Sequence, residues 1–488
     1  MRPRAGVEGC VTDEERPLRT RVFYASGSVS GNVVSQAFSL WLIFFYAPPS
    51  DRDDLDTRIP GVGLPGLDLG GFSFPDELAP RVVLGLLLTV ARIVESVDDP
   101  VVGYLTDRTR SRWGRRIPWI LLGTPWWALL FALLFAPPVA GESFANLLWL
   151  VVILEIFWLT SNISGAPLEA LLPHIAKSHQ HRVTVAAYQL AFGVFGAFIG
   201  LSISSLLVDI VGFTTMAAIM AAVALATRYT ALFGCWSYAK SDDTPSTPGF
   251  KRSVRETFSN KQFVAFLPSF IFFRIAQLML TALFPFYVSA ALSTSEALGF
   301  SGSEDEGVFT FALTVIVIVG VLIGIAIFTP LARRRGNAYA FRTAMLWSMG
   351  GLFLLFFAGF TPGIPKVAQA AVVILITGMP LAGILMLPNI LIADIVDHDA
   401  RRTSTRREGM FYGTQNLLEK SASAFAPLLL ALVLLAGDSA SDPLGVRLVG
   451  PVAAVLVFIG FLSFRGYTLG EREPEESQEA EPAAPPAD

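Results

Sequence analysis

The stretch that decides the fold is RIVESVDDPVVGYLTDRTRSRWGRR, residues 92–116, which begins in an apolar segment and ends in a cluster of arginines. Apolar runs of twenty or more residues recur along the 488-residue chain, and such runs are long enough to cross a membrane as helices. The chain is 53% hydrophobic and 16% charged, whereas a soluble domain is about 25% charged. It shows none of the short alternating strands of a membrane barrel. The predicted fold class is therefore an all-α protein that crosses the membrane many times.

Hydropathy predicts twelve transmembrane helices, each long enough for an apolar core of about 30 Å at about 1.5 Å per residue. The predicted spans are 22–47, 81–106, 117–138, 144–172, 183–208, 212–238, 262–291, 307–331, 341–362, 367–395, 409–436 and 445–467.

The charges of the connecting loops predict the orientation. Arginine-rich clusters fall on one side of the spans, at 107–116, 333–336 and 401–407, and acidic loops fall on the other, at 51–56 and 303–306. Because cytoplasmic loops are enriched in Lys and Arg, we expect both termini to be cytoplasmic, in a plasma membrane. The long outer loop 48–80 is either a lid over an outer vestibule or a variable loop.

The spans divide into two halves. The longest predicted cytoplasmic link, 239–261, separates six spans from six, and each half carries an arginine cluster after its second span. Such repetition is typical of transporters built from parallel repeats. We therefore predict two six-helix bundles, 22–238 and 262–467, between a cytoplasmic N-terminus (1–21) and a disordered acidic tail (468–488).

The second span places several charges inside the membrane. A charge at mid-bilayer costs at least ~2.5–3.5 kcal/mol, so it usually faces a cavity or a partner. Glu95 and Asp99 are four residues apart and share a helix face, while Asp98 lies beside them and Pro100 frees a backbone carbonyl. These oxygens suit a small hard cation, and close carboxylates also favour a proton. The alternative is an ion pair between Arg92 and Glu95 that only ties helices together.

The eleventh span carries Gln415, Asn416, Glu419 and Lys420. Lys420 lies about 18 Å in from Glu408 along the helix, near mid-membrane. We expect it to pair with the carboxylates of the second span, across the interface between the halves. The alternative, a pair with Glu419, is disfavoured because adjacent residues on a helix do not face each other.

Other spans contain further polar candidates. In span four, Asn162 could supply a carbonyl ligand, and Glu169 could either bind solute or sit solvated at the cytoplasmic mouth. The remaining polar candidates are Asn32, Arg228, Arg274 and Gln277. Five aromatic residues could stack on a sugar ring or serve as interface anchors, namely Tyr24, Trp126, Trp127, Trp158 and Tyr412.

Motifs of other function classes are missing from the sequence. There is no CxxC, HExxH, P-loop or nucleophile-elbow pattern, and the four histidines fall in predicted cytoplasmic links. These features do not indicate an enzyme, an ATP-driven pump or a nucleic-acid-binding protein. Cys10 and Cys235 lie far apart, so we predict no disulfide.

Two long motifs, DDPVVGYLTDRTRSRWGRRIPWILLG (98–123) and ADIVDHDARRTSTRREGMFYGTQNLLEKSASAF (393–425), resemble signatures of the glycoside–pentoside–hexuronide:cation symporters of the major facilitator superfamily. PLEALLP (167–173) is similar to part of that family's fourth helix. The resemblance implies a major facilitator fold and Na⁺- or H⁺-coupled symport of a sugar or glycoside-like solute by alternating access.

The resemblance also assigns roles to residues. It implies a cation site of Glu95, Asp98, Asp99 and Asn162, with Glu95 and Asp99 binding Na⁺ if sodium is the coupling ion. The substrate-site candidates, from the resemblance and from the buried polar residues together, are Asn32, Arg92, Glu169, Arg274, Gln415, Asn416 and Lys420.

The sequence also departs from the family pattern. Galactoside-binding members have acidic residues where this chain has Asn32 and Gly165, and a stacking tryptophan where it has Glu169. Galactoside specificity is therefore not implied. The alternative on the same fold is a lysolipid or other amphiphile transporter, and a non-transporting receptor or scaffold is a third class. We expect a small, carbohydrate-like solute and the lipid bilayer as partners, no nucleic acid, no cofactor besides the coupling ion, and a monomeric working form.

Overall fold

The structure is a computed structural model that describes residues 17–49, 57–63, 77–78, 80–109, 111–114, 116–169, 171, 175, 179–236, 258–292, 306–403 and 408–469. Several sequence predictions lie outside the described residues. They concern most of the N-terminus, most of the outer loop, the central linker, the tail, Cys10 and the side chain of Tyr412.

Helices make up most of the described chain. They are α1 (Leu18–Tyr46), α2 (Pro80–Arg108), α3 (Ile117–Leu134), α4 (Phe144–Glu169), α5 (His179–Phe198), α6 (Ser204–Cys235), α7 (Lys261–Phe286), α8 (Glu306–Arg335), α9 (Asn337–Leu355), α10 (Lys366–Thr403), α11 (Glu408–Ser423), α12 (Phe425–Leu434) and α13 (Leu444–Phe464). Two π-helical segments, Ile199–Ile203 and Tyr287–Ala291, follow α5 and α7. In the outer loop, strands β1 (Val62–Gly63) and β2 (Glu77–Leu78) form one short antiparallel pair.

The all-helical membrane fold is confirmed, whereas the count of twelve spans stays a prediction. Within the described residues, nine helical stretches are long and apolar enough to cross a membrane. One of them, Tyr188–Cys235, combines predicted spans five and six in 48 residues, and its helix is interrupted at Gly212, where φ is 76°. The predicted spans in α2 and α9 are not among the nine, and α2 carries the charges discussed above.

The helices of each half pack mainly on one another, and the halves meet through α2 with α11 and α12, α1 with α7, and α6 with α8. At the end that the arginine pattern predicts to be outside, one apolar core combines helices of both halves. At the opposite end each half has its own core. We call these the shared end and the split end. The halves are therefore closed together at the shared end, although the exact domain boundaries remain predictions.

Polar contacts also link the halves at the shared end. Arg81, at the start of α2, forms an ion pair with Asp438 in the loop between α12 and α13. Asp209 of α6 accepts hydrogen bonds from the backbone N–H groups of Gly307 and Val308, both at 3.0 Å. This carboxylate caps the first turn of α8, where backbone N–H groups lack partners inside the helix. The shared end is thus held by charge as well as by apolar packing.

Glycines let α1 pack closely against α5 and against the π-helical segment Ile199–Ile203 that follows it. A Cβ atom on Gly200 would lie 2.6 Å from the carbonyl oxygen of Val33, and one on Gly196 would lie 2.8 Å from that of Val29. Neither position has room for a side chain, because the obstructing atoms belong to the backbone. The packing of α1 against α5 and the π-helical segment therefore depends on glycine at both positions.

We predict that Gly200→Ala lowers the free energy of unfolding by about 1–3 kcal/mol, the usual cost of overpacking. Gly31→Ala is the matched control, since a Cβ there meets nothing within 4 Å and alanine favours helix. The comparison is made by thermal unfolding of the purified chain in detergent. Equal melting temperatures for the two variants would contradict the close-packing account.

Candidate functional site

Two basic side chains surround one buried carboxylate at the interface between the halves. Glu95 of α2 is 3% exposed. Its Oε2 accepts a hydrogen bond of 2.8 Å from Nη1 of Arg92, and its Oε1 lies 3.7 Å from Nζ of Lys420 on α11. Glu95 therefore makes both of the contacts that the sequence suggested, the local pair with Arg92 and the pair with Lys420 across the interface.

Arg92 is held by an aromatic ring as well as by Glu95. Its guanidinium lies 3.6 Å from the ring centroid of Trp158 on α4, a cation–π contact that gains strength away from water. Trp158 is itself packed edge-on against Phe38 and Phe157. The guanidinium therefore has a defined position from which it orients the Glu95 carboxylate.

The other predicted cation ligands can be placed only in part. The side chains of Asp98 and Asp99 lie outside the described residues. Asn162 on α4 is 8% exposed, and its amide nitrogen has no hydrogen-bond partner among the described residues. In that part of the chain, no group of three His, Cys, Asp or Glu side chains could hold a metal ion. The four-residue cation site remains a prediction.

A second ion pair lies next to the first along α11. Oε1 of Glu419 lies 2.7 Å from Nε of Arg274 on α7, without the alignment of a hydrogen bond. Nη1 of Arg274 donates to Oε1 of Gln277 at 2.8 Å. Glu419 and Lys420 are adjacent in sequence but pair with different halves of the protein, as expected for neighbours that point about 100° apart on a helix.

A cavity of about 630 Å³ lies between the halves. Its polar wall comes from α1, which supplies Ser28, Asn32 and Gln36, and from α7, which supplies Arg274, Gln277 and Thr281. Its apolar wall comes from α5, α8 and α10, with Leu190, Val194, Val317, Ile318, Val321, Leu381 and Leu385. A solute in this cavity would meet both hydrogen-bonding groups, more than half of them on α1 and α7, and a large apolar surface.

Several polar residues of the cavity were not singled out from the sequence, although a spacing signal was present. Ser28 and Gln36 were missed, although each lies four residues from the predicted Asn32 and so shares its helix face. Nδ2 of Asn32 donates to the carbonyl of Ser28 at 2.9 Å. Other residues missed by the sequence prediction are Gln189, Thr281, Thr314, Ser348, Thr377 and Asn389.

The remaining predicted substrate residues are dispersed. Of the seven candidates, the lining of the large cavity contains Asn32 and Arg274, and Arg92 lines a separate cavity of about 40 Å³. Gln415 is buried, and Asn416 and Glu169 are exposed. None of these three, nor Lys420, lies in the lining of the large cavity that the structure describes. Their roles in substrate binding remain predictions.

The helix that carries Glu419 and Lys420 loses part of its hydrogen-bond ladder after Ser423. Ala424, between α11 and α12, keeps helical backbone angles (φ −55°, ψ −32°), but Pro427 lacks the N–H that would continue the ladder across that point. Oγ1 of Thr89 on α2 donates to the carbonyl of Ala424 at 2.9 Å, so a residue of the first half satisfies this carbonyl. The missing hydrogen bond makes this the least supported point of the helix, a few residues from the two ion pairs.

A buried arginine links α1 and α4 within the first bundle. Arg228 on α6 is 5% exposed and donates to the hydroxyls of Ser30 on α1 at 3.2 Å and Ser164 on α4 at 2.7 Å. Its guanidinium lies 3.7 Å from the ring centroid of Trp127. Each serine is two residues from a predicted site asparagine, and residues two apart lie on opposite sides of a helix. Arg228 therefore fixes α1 and α4 from the side away from Asn32 and Asn162.

Two packed helical halves, a cavity between them, and paired charges buried at their interface define a multi-span membrane transporter. The chain belongs to the MFS/sugar transport protein family, whose model matches residues 23–459.

Individual relatives agree with this assignment. The chain is 22% identical to the inner membrane symporter YicJ of Escherichia coli, over 86% of this chain and 83% of that protein. It is 23% identical to the isoprimeverose transporter of Lactiplantibacillus pentosus, over 86% of this chain and 81% of that protein.

Another relative is matched over a shorter segment. The chain is 31% identical to the sodium-dependent lysophosphatidylcholine symporter 1-B of Danio rerio, over 25% of this chain, and it spans 23% of that relative's length. Among solved structures, the nucleoside transporter NupG superposes with a TM-score of 0.59 at 11% identity, over 92% of this chain and 98% of that chain. At this identity the superposition shows the fold alone.

Proposed function

We propose that the protein is a secondary transporter that couples the inward flow of Na⁺ or H⁺ to the uptake of a sugar or glycoside-like solute. The observation that supports this proposal most directly is the pair of Glu95 with Lys420. It joins the two halves at a buried carboxylate, and the residue next to Lys420, Glu419, pairs with Arg274 of the cavity lining. A charge buried inside the membrane is energetically costly, so such residues usually have a function.

In the proposed mechanism, Lys420 occupies one side of the Glu95 carboxylate in the state described here. An arriving proton or sodium ion competes for the same negative charge, with Asp98, Asp99 and Asn162 as the further proposed ligands. Neutralising Glu95 weakens its contact with Lys420 and with it the link between α2 and α11. Cation binding then shifts the populations of the two access states.

The closed shared end and the two separate cores at the split end support an inward-facing state. This orientation rests on the arginine-rich loops, which mark the split end as cytoplasmic. We propose a plasma-membrane location, both termini in the cytoplasm, a monomeric working form and no enzymatic activity. The solute cavity is the space of about 630 Å³ with Asn32 and Arg274 in its polar wall.

A second candidate substrate is an amphiphile such as a lysolipid, and the apolar cavity wall favours it. Leu190 is 57% exposed and Leu385 is 42% exposed, although both line the cavity. They would offer a hydrocarbon surface to a lipid tail. The sugar proposal is preferred because polar side chains line the cavity from six helices, as a polyhydroxy solute would require.

Counterflow into proteoliposomes tests the function and separates the two candidates. Vesicles with the purified chain are loaded with unlabelled isoprimeverose, an aryl glucoside or lysophosphatidylcholine, and entry of the labelled compound by exchange identifies the solute. Uptake into solute-free vesicles is then followed with a Na⁺ gradient, a pH gradient or neither. We expect at least one glycoside to exchange and to accumulate only with a cation gradient.

Accumulation of lysophosphatidylcholine alone would replace the sugar proposal with the amphiphile one. Transport that ignores both gradients would rule out coupling. The matched control is Glu142→Gln, which removes a carboxylate from the exposed loop between α3 and α4 and should leave all rates unchanged.

A further inference from the structure

Glu419 lies where a signal could pass from the cation carboxylate to the solute cavity. We propose that Glu419 is a positioning residue for Arg274, through which cation binding at Glu95 changes the charge that the cavity presents to its solute. This inference rests on the proposed function. From the sequence, Glu419 was considered only as a local partner of Lys420, whereas the structure pairs it with Arg274.

The first step of the argument is the adjacency of two ion pairs on one helix. Lys420 reaches Glu95 on α2, in the first half, while Glu419 reaches Arg274 on α7, in the second half. The two side chains share one rigid segment of α11, so a rotation or shift that follows the loss of one pair must move the other. The two contacts are therefore mechanically linked.

The second step is that α11 can bend close to Glu419. Pro427 removes one hydrogen bond of the helix ladder just after Ser423, the last residue of α11, and proline positions are where helices most often bend. The pair of Glu419 with Arg274 also lacks hydrogen-bond alignment, so geometry does not fix it as firmly as a bidentate pair would. When a cation neutralises Glu95 and weakens its contact with Lys420, α11 can shift by bending at this point and carry the Glu419 carboxylate with it.

The third step is the change of charge in the cavity lining. Within the described lining of the large cavity, Arg274 is the charged side chain, among hydroxyl, amide and apolar groups. While Glu419 is paired with it, the two charges offset each other. When Glu419 moves away, the guanidinium gains positive character and donors for solute oxygens, while Gln277 continues to hold its other edge. Cation binding would thereby change solute affinity, and by linkage solute binding would change cation affinity equally.

The experiment uses two readouts on the full chain in detergent, with Na⁺ and a pH step as probes. The first readout is the melting temperature, which reports cation binding itself. The second is the emission of a bimane attached to Thr281→Cys, a cavity position one turn from Gln277, in a background of Cys10→Ser and Cys235→Ala. We expect Na⁺, or protons in its absence, to change both readouts in the parent chain.

Glu419→Gln should keep the cation-induced shift in melting temperature. Its cation-induced change in bimane emission should be at least about fivefold smaller than in the parent chain, the low end of typical coupling between sites. Glu419→Asp should retain part of the response, because it keeps the charge. Arg274→Gln should lose the response to the same extent, and the double variant should lose no more, as expected for residues that act through one contact. Glu142→Gln is the control for the loss of a carboxylate outside the proposed link.

A full bimane response in Glu419→Gln would overturn the inference and leave the proposed function intact. Loss of both readouts in that variant would also overturn it, because Glu419 would then belong to the cation site itself. A parent chain that responds to neither Na⁺ nor pH would overturn the proposed function and this inference together. If Glu419→Gln fails to fold, Arg274→Gln and Glu419→Asp carry the test.

Discussion

Glu95→Gln should abolish cation-driven accumulation of solute while leaving the protein able to reach the membrane. A glutamine amide carries no charge, takes up no proton in the physiological range and binds Na⁺ weakly. It also leaves Arg92 and Lys420 beside a neutral group. Removing the anionic partner of a cation bound at a buried site costs about 2–5 kcal/mol of binding free energy. Since about 1.4 kcal/mol corresponds to tenfold, cation affinity should fall at least about thirtyfold.

The measurement is uphill uptake in proteoliposomes with the solute identified by counterflow, with Glu95→Asp as the charge-conserving comparison. The double variant Glu95→Gln with Lys420→Gln should recover part of the melting temperature that the single variant loses, because it removes the ammonium that faces the neutral amide. It should not recover coupling. Cation-driven accumulation at the parent level in Glu95→Gln would show that this carboxylate serves only as a structural ion pair.

Arg228→Ala should be among the most damaging changes inside the first bundle. It removes a long buried side chain that contacts Trp127 and bonds to Ser30 and Ser164. The expected cost is about 3 kcal/mol, which is typical of large-to-small replacements in a packed core. Thermal or denaturant unfolding in detergent measures this loss, and Arg334→Ala, at an exposed arginine of α8, is the control.

Arg228→Met separates packing from hydrogen bonding at this position. Ser30 also donates to the carbonyl of Gly27, and Ser164 donates to that of Thr160, so neither hydroxyl loses its last partner. Replacing a buried charge with an apolar side chain of similar volume is often neutral. Methionine should therefore recover most of the lost stability. An Arg228→Met variant as unstable as Arg228→Ala would mean that the hydrogen bonds, and not the packing, hold α1 and α4.

Several features were accessible from the sequence because they depend on local composition. Apolar length marks the membrane helices, and arginine placement marks the predicted cytoplasmic side. The charges of the second and eleventh spans stood out because an intramembrane charge is rare. Lys420 could be matched with Glu95 since each needs an opposite charge at similar depth, and this contact is present. Family membership followed from the two long motifs and is confirmed by the family match.

Other features were decided by the tertiary structure. Hydropathy gives the length of a span, but its rotation and tilt are set by packing against neighbouring helices. The sequence could not show that Glu419 turns to Arg274, that Trp158 lies on Arg92, or that Arg228 joins α1 to α4. The cavity lining depends on the same packing, because a polar residue in a span can face solute, a neighbouring helix or its own backbone. Local composition determined which residues lie in the membrane, and the contacts between helices determined what each of them faces.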